Sequence, residues 1–347
     1  MPSVTIDAGV LAAPPDASTP EDARSYVDTL LDWSQLLEEP WVAIYMSERS
    51  SQSLVEDGLF PLRDRLERLF RANGITEYTV NDVAQVVNRL LQLTPSFETF
   101  FRIRDVLHED LTTQPDVMRF CAGEHLQSDL ARCIVLIAIL RRHCREPVVD
   151  HSLIIRSAPG MTVRVRAVIQ VLEHERDDLS DPPKPPDYFD GEVLVCDNFR
   201  GLIDCLDEAT ILLKATDDVG VETAIRIAVH KSRLARGLAP DWDDVPTFRV
   251  GHEFLAYFLG LDPTHKLSGN VLDAIVQTLE GLNMGGTHWL RTGKGGDNPQ
   301  RVRKRDGAGA WRRDIDSDHH LHYWACDGDI AELASVSYPH DDFKIPE

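Results

Sequence analysis

The stretch SDLARCIVLIAILRRHC, at positions 128–144, is apolar on nearly every side through its middle. A helix that is hydrophobic all round is typical of the centre of a domain. The run CIVLIAIL inside it is far shorter than the roughly 20 residues that cross a bilayer. We therefore predict the central helix of a first domain, and no membrane partner.

Three more helices are predicted on the N-terminal side of this stretch. TPEDARSYVDTLLDWSQL offers Thr19 as an N-cap and Pro20 at the first helical position. PLRDRLERLFRANG ends at Gly74, and TVNDVAQVVNRLLQL begins near Thr79. Residues 1–18 are small and proline-containing, which predicts a disordered tail.

The pattern changes after the central helix. HSLIIRS and MTVRVRAVIQVLE are rich in β-branched residues, and Ala158-Pro159-Gly160 between them favours a turn. We predict a β-hairpin that ends a helical domain at 19–176. Acidic residues, prolines and glycine at 177–191 indicate a linker or long loop, and a helical region follows at 192–266.

Residues 267–347 look like a basic, β-rich unit. GGTHWLRTGKGGDNPQ, RVRKRDGAGAWRRDI and HHLHYWACDGDIAELASVSY carry turn signals at Asp306-Gly307 and Asp327-Gly328. These predict an antiparallel meander packed on the preceding helix. The predicted class is α+β: a mostly helical N-terminal body with a hairpin, followed by a small helix-plus-antiparallel-sheet unit.

The composition is that of an ordinary globular protein. Of 347 residues, 43% are hydrophobic. No basic head precedes the short apolar N-terminal stretch, so we expect no signal peptide and a cytoplasmic location. The six cysteines contain no CxxC pair, which favours reduced thiols over a zinc ribbon or a disulfide framework.

The charge is strongly uneven. The net charge of −21 repels polyanions over most of the surface, yet residues 288–313 carry eight cations and two anions. This basic stretch is either a docking site for a phosphate-bearing ligand or the internal counter-ion of the acidic surface. Both interpretations stay open at the level of the sequence.

The candidate phosphate-binding residues lie in and beside this stretch. If RVRKR is a strand, alternate guanidiniums project from one face, where they could bind phosphate oxygens bidentately. Tryptophans nearby could stack on an unpaired base. The alternative is a strand held to acidic helices by weak exposed ion pairs. The predicted nucleic-acid-binding residues are Arg301, Arg303, Arg305, Arg312, Arg313, Trp311 and Trp324.

The candidate catalytic residues are His320, His322 and Tyr323. On a strand, His320, His322 and Trp324 share one face and Tyr323 points to the other. One imidazole could take the proton of a ribose 2′-hydroxyl while a second, or the tyrosine, protonates the leaving oxygen. The alternatives are a metal site completed by the His340-Asp341-Asp342 triplet, and a solvated sheet face without chemistry.

Two cofactor motifs fail in this sequence. His252-Glu253 lacks the second histidine of HExxH, because position 256 is alanine. TGKGG at 292–296 lacks the first glycine of a Walker loop, and Gly295 replaces the hydroxyl that holds magnesium. We therefore predict no cofactor and no metal.

The C-terminal unit resembles the small RelE/ParE-like toxin fold. VLDAIVQTLEGL, RVRKRDGAGAWRRDI, LHYW and GDIAELASV carry the likeness, which covers about eighty residues. The resemblance implies either ribonuclease activity without a metal or a catalytically silent binding module, with Arg312 or Arg313 matching the arginine of the family's central strand. The next strand departs from the family, because His320 and His322 occupy the region of its usual arginine. Residues 1–260 suggest no family, although the outline is similar to proteins of bacterial anti-phage and mobile-element loci.

The leading hypothesis is a nucleic-acid-binding protein that engages RNA or single-stranded nucleic acid through its C-terminal unit. It could be a metal-independent, RNase-like effector of a bacterial defence or toxin-like system, with phosphodiester cleavage as the reaction. A second hypothesis is a non-catalytic adaptor whose acidic helical body binds a protein partner. A third is a DNA mimic that occupies a partner's nucleic-acid groove.

Overall fold

A computed structural model describes residues 2–15, 17–144, 151–294, 297–338 and 343–347. These residues form an α+β protein with two compact units, Pro2–Leu206 and Asp207–Glu347. Within the described residues, no helix has the length and apolar character needed to cross a bilayer.

The first unit alternates helices with strands of one sheet. Its elements are β1 (Ser3–Ile6), α1 (Ala8–Leu11), α2 (Pro20–Gln35), β2 (Ala43–Met46), α3 (Ser50–Glu56), α4 (Arg63–Asn73), α5 (Val80–Leu93), α6 (Phe97–Phe101), β3 (Ile103–Gln114), α7 (Glu124–His143), β4 (His151–Ile154), β5 (Thr162–His174), β6 (Asp187–Cys196) and α8 (Phe199–Cys205).

The local helix signals of the sequence are confirmed. Thr19 caps α2 through a capping box with Asp22, and Pro20 is the first helical residue. Gly74 ends α4 in the left-handed region at φ 62°, which glycine adopts without steric cost. Thr79 caps α5. The central helix is also confirmed, since every residue of α7 from Ile134 to Leu140 is fully buried.

The α+β class is confirmed, but the first unit also contains a six-stranded sheet that the sequence did not predict. The strand order is β2-β1-β4-β6-β5-β3. β2, β1, β4 and β6 are parallel, whereas β5 and β3 run antiparallel to their neighbours. The prediction of a disordered tail at 1–18 is wrong, because Ser3–Ile6 is an interior strand of this sheet and its Val4 and Ile6 are fully buried.

The strand pairing also differs from the predicted hairpin and linker. β4 lies between β1 and β6, so HSLIIRS and MTVRVRAV are not paired with each other. β5 instead pairs with β6, and the segment 177–191 joins these two strands and contributes the start of β6. The division between units therefore falls after Leu206, where α8 ends, and not at 177–191.

The second unit packs helices with a smaller sheet. Its elements are α9 (Glu208–Leu213), α10 (Asp218–Ala235), β7 (Phe248–Val250), α11 (Phe254–Leu259), α12 (His265–Leu279), β8 (Thr287–Trp289), β9 (Gly309–Asp314), β10 (His320–Cys326) and β11 (Ile330–Ser337).

The predicted meander is present in this sheet, whose order is β7-β11-β10-β9-β8. β8 to β11 are antiparallel in sequence order, β7 joins β11 in parallel, and α12 packs against β9, β10 and β11. RVRKR is not a strand, however. Val302 makes one isolated bridge to Gly309, and residues 304–306 form a turn that leads into Gly307 at φ 76°.

Candidate functional site

The two predicted catalytic histidines lie side by side but are buried. The His320 and His322 ring centroids are 6.5 Å apart with an interplanar angle of 9°. His322 and Trp324 are fully buried, and His320 is 1% exposed. Tyr323, on the opposite face of β10, is 7% exposed. A substrate cannot reach these side chains in this conformation, and Trp324 has no face open to an unpaired base.

The arginines predicted to bind phosphate do not share an accessible face. Arg303 is fully buried and donates from Nη1 to Glu332 Oε1 at 2.5 Å and from Nη2 to Asp306 Oδ2 at 2.6 Å. Arg305 Nη2 lies 3.1 Å from the same Glu332 oxygen. The expectation of one guanidinium face is wrong, because the chain turns at 304–306 and brings Asp306 back onto Arg303.

The remaining predicted residues of this group are also separated. Arg313 is 1% exposed and donates to Gln277 Oε1 and to the carbonyl oxygen of Leu282, each at 2.9 Å. Arg301, Arg312 and Trp311 are half-buried, and Trp311 packs edge-on against Trp289 with ring centroids 6.2 Å apart. The interpretation of the basic stretch as an internal counter-ion is favoured by the ion pairs of Arg303 and Arg305, whereas Arg313 is held by neutral acceptors.

The carboxylates around Arg303 are held in their ionised form. Hydrogen bonding to the Arg303 guanidinium lowers the pKa of Asp306 to about 2 and lowers the pKa of Glu332 below its ordinary range. The cluster of Arg303, Arg305, Asp306 and Glu332 is therefore an ion-pair network that stabilises the turn against β11. The metal alternative named for His340, Asp341 and Asp342 lies outside the described residues.

A different candidate site lies at the carboxyl edge of the parallel strands in the first unit. In the sheet, β2 lies on one side of β1 and β4 lies on the other side. The strand order therefore reverses between β1 and β4, which is where open α/β sheets place their ligand crevice. A cavity of about 10 Å³ lies at this point, with room for about one water molecule or ion.

The residues that follow β1 and β4 line this cavity. Asp7, Gly9 and Ala12 come from the segment after β1, and Ile155, Arg156 and Ser157 come from the segment after β4. The other lining residues are Val117, Phe120, Cys121, Ala122 and Leu130. Burial, helped by the charge of Asp7, raises the pKa of the Cys121 thiol above its ordinary value, so Cys121 is neutral and a poor nucleophile.

Asp7 is the chemically unusual group in this cavity. It is 3% exposed, and its Oδ2 atom accepts the backbone N–H of Gly9 at 2.9 Å as the N-cap of α1. Its Oδ1 atom is buried and has no hydrogen-bond partner within the described ranges. Burial, and then the charge of Asp129, raise the pKa of Asp7 from 3.8 to about 8.

Asp129, on α7, is the second buried carboxylate of this edge. It is 3% exposed, and its Oδ1 atom accepts the Ser47 hydroxyl at 2.7 Å. Its Oδ2 atom also lacks a partner in the described part of the chain. Burial raises the pKa of Asp129, although Ser47 and Arg132 act in the opposite direction. Arg132 lies 3.5 Å from Asp129 Oδ1 but makes its shorter contact to Glu98.

Three arginines contact lining residues of this cavity or their neighbours in the chain. Arg156 lines the cavity and donates to the Ala12 carbonyl oxygen at 3.5 Å. Arg65 donates to the Gly58 and Ala13 carbonyl oxygens, and the Arg119 guanidinium lies 4.6 Å from the centre of the Phe120 ring. Among the residues that the structure describes, none of these three arginines forms an ion pair with a carboxylate.

Sequence reasoning missed this site. The signal was available: VTI at 4–6 is a short β-branched run followed by Asp7 and a helix start. In the described residues, no group of three histidine, cysteine or acidic side chains is arranged to hold a metal ion. No protein-family model matches the chain, and neither curated proteins nor solved structures contain a significant match.

Proposed function

We propose that the first unit binds a divalent cation at Asp7 and hydrolyses a phosphodiester bond, with RNA or single-stranded nucleic acid as the substrate class. The observation that carries the proposal is the buried Asp7 carboxylate at a strand switch point, whose Oδ1 atom has no hydrogen-bond partner among the described residues. The proposal moves the reaction away from His320 and His322. It also departs from the metal-free chemistry expected from the sequence.

A cation is the partner that best fits Asp7. A buried carboxylate without a partner must either take a proton or be compensated by a positive charge. The cavity volume of about 10 Å³ admits an ion but not an organic molecule. Mg²⁺ commonly takes one or two carboxylates and completes its shell with water and substrate phosphate oxygens. Asp7 from the cavity wall and Asp129, whose charge raises the pKa of Asp7, would supply that number of carboxylates.

A phosphate is the substrate group that best fits the arginines near this cavity. Arg65, Arg119 and Arg156 present guanidiniums that have no carboxylate partner within the described residues. Guanidinium is suited to bidentate binding of phosphate oxygens. This local arrangement contrasts with the paired arginines of the second unit. It gives a polyanion a favourable place to bind on a protein whose net charge is −21.

The roles of the residues follow from their positions. When bound at this position, Mg²⁺ or Mn²⁺ would supply a Lewis acid and would lower the pKa of a coordinated water. Asp7, with Asp129 whose charge acts on it, would hold the ion, and Arg156 at the cavity wall would stabilise charge on the phosphate oxygens. The neutral Cys121 thiol leaves water as the nucleophile. The wider role as an effector of bacterial defence or of a toxin-like system remains a hypothesis from the sequence resemblance.

The test is cleavage of labelled single-stranded RNA and DNA by the full chain with Mn²⁺, with Mg²⁺ and with chelator. We expect cleavage that chelator abolishes and that Asp7→Asn and Asp129→Asn each lower at least a hundredfold. Asp64→Asn, which changes an exposed carboxylate on α4, is the matched control and should cleave like the native chain. Cleavage that survives chelator, or that His322→Ala alone removes, would refute the proposal.

A second candidate function is the non-catalytic adaptor. The internal pairing of Arg303 and Arg313 favours it, because the second unit then contributes a folded scaffold and the acidic surface is left for a protein partner. This function predicts that Asp7→Asn leaves partner binding intact, whereas charge reversals on the exposed helix faces abolish it. Co-purification of the two sets of variants with the partner distinguishes the adaptor from the enzyme.

A further inference from the structure

The segment Phe343–Glu347 lies against the histidine face of β10. The carbonyl oxygen of Lys344 is 3.1 Å from His322 Nδ1, and the carbonyl oxygen of Pro346 accepts the Trp324 Nε1–H at 2.8 Å. A carbonyl can only accept, so His322 carries its proton on Nδ1. Its Nε2 atom is then the acceptor for the Ser337 hydroxyl at 3.2 Å. These contacts lie within the second unit.

The spacing of these contacts is that of a peptide-recognition surface. His322 and Trp324 are two residues apart on one strand face, and the two carbonyls they bind are two residues apart in the segment. Alternate residues of an extended chain point the same way, so two side-chain donors match two alternate carbonyls. Backbone contacts of this kind supply affinity, and the side chain between them supplies specificity.

Ile345 is the side chain between the two carbonyl contacts, and it is buried. It is 8% exposed and packs in an apolar cluster with Leu290, Ala310 and Trp324. Pro346 follows it, and proline favours an extended conformation in the residue before it. Lys344 and Glu347 are exposed, so Ile345 is the one buried side chain of these five residues. Half-buried Phe343 packs against the same cluster, so two apolar side chains and two side-chain hydrogen bonds hold the segment on this face.

We propose that this face of β10 is a binding site for an extended peptide with an Ile-Pro core, and that it exchanges its own Phe343–Glu347 segment for that of a second copy of the chain. The second copy is the favoured occupant because its segment has the chemistry already seated on the face. Within one chain the segment competes at a high effective concentration, so exchange occurs at high protein concentration. The inference is independent of the proposed reaction at Asp7.

The test uses the full chain and a fluorescent peptide of sequence FKIPE. In the Ile345→Asp chain the segment no longer fits, so the face is open to the labelled peptide. We expect saturable binding to this chain, at least tenfold weaker binding to the native chain, and no binding of a peptide with aspartate in place of isoleucine. Glu347→Gln, a change at an exposed residue of the segment, is the control and should behave like the native chain.

Sedimentation of the unlabelled proteins tests the second copy. The native chain and the Glu347→Gln chain should form a concentration-dependent dimer, and the Ile345→Asp chain should stay monomeric. If Ile345→Asp disturbs the circular dichroism of the sheet, Ile345→Ala takes its place. Equal peptide binding to the native and opened chains, or none to a folded opened chain, would overturn the binding site. Peptide binding without dimers would overturn the second copy as the occupant.

Discussion

Replacing Asp7 with asparagine should change how the stability of the first unit depends on pH. The pKa of Asp7 in the folded chain is about 8, against 3.8 ordinarily, because burial and the Asp129 charge disfavour ionisation. Between these values the folded state keeps a proton that the unfolded state releases, so stability falls as pH rises from about 4 to about 8. Each pKa unit corresponds to about 1.36 kcal/mol, so the loss of stability across this pH range is at most about 6 kcal/mol.

Asparagine cannot ionise, so Asp7→Asn removes this loss while keeping an oxygen for the Gly9 N–H. Water entry and structural relaxation reduce this maximum, so we expect a stability difference of at least ~2 kcal/mol. This is the amount by which the variant should gain stability over the native chain between pH 4.5 and pH 8.5 in metal-free buffer. Comparing the two pH values cancels any fixed cost of the unpaired amide.

The assay is urea unfolding of both chains at pH 4.5, 6.0 and 8.5, followed by circular dichroism, with Asp64→Asn as the control. The free energy of unfolding of Asp7→Asn minus that of the native chain should rise steadily across the series. The Asp64→Asn difference should stay flat. If the Asp7→Asn difference is equally flat, Asp7 ionises normally and the argument for a cation at this position fails.

Three further predictions concern stability. Arg303→Ala leaves Glu332 without its main partner and should lower the free energy of unfolding by urea by about 3 kcal/mol. Arg305→Ala, at a more exposed ion pair, should lower it by less than about 1 kcal/mol. Equal losses in the two variants would contradict the buried network. Gly123→Ala places a Cβ 2.0 Å from Asp57 Oδ2 and so displaces the carboxylate that caps α7. This variant should lower the stability by about 1 kcal/mol in thermal unfolding. Gly160→Ala, whose added Cβ lies in open space, is the control and should not lower it. Burial lowers the pKa of His151 from 6.5 to about 3, so stability is lost as the pH falls through that interval. In His151→Asn, the free energy of unfolding by urea should depend less on pH between pH 7 and pH 4. A pH dependence equal to that of the native chain would contradict a neutral buried imidazole.

Local signals of the sequence predicted the helices well, because caps and stops act within one turn. Thr19, Pro20 and Gly74 each satisfy or end a helix through contacts with near neighbours. The central helix was predictable because its apolar residues surround it on all sides. The turn at Gly328, where φ is 78°, was signalled by Asp327-Gly328 for the same local reason.

The sheet of the first unit was not predictable in the same way. β1 and β2 have four residues each, too few to reveal a period, and they pair in parallel across some forty residues of sequence. Alternation in MTVRVRAV indicated a strand but not its partners, which are β6 and β3 and not β4. In RVRKR the same alternation was misleading, because Asp306 forms ion pairs that stabilise a turn.

The candidate site was hidden for a related reason. Asp7 follows a strand that the sequence did not reveal, and Asp129 belongs to a helix that brings it to the same edge only through tertiary packing. The C-terminal histidines were conspicuous in the sequence, but His322 and Trp324 are contacted by Lys344 and Pro346, which lie 22 residues further along the chain. Residue type alone therefore indicated the wrong unit.

Titration of the metal-free chain with Mn²⁺ at pH 8.5 in a calorimeter tests the central claim most directly. The proposal predicts one site per native chain, retained in Asp64→Asn and lost in both Asp7→Asn and Asp129→Asn. A native chain that binds no Mn²⁺, or an Asp7→Asn chain that binds it as the native chain does, would contradict the account.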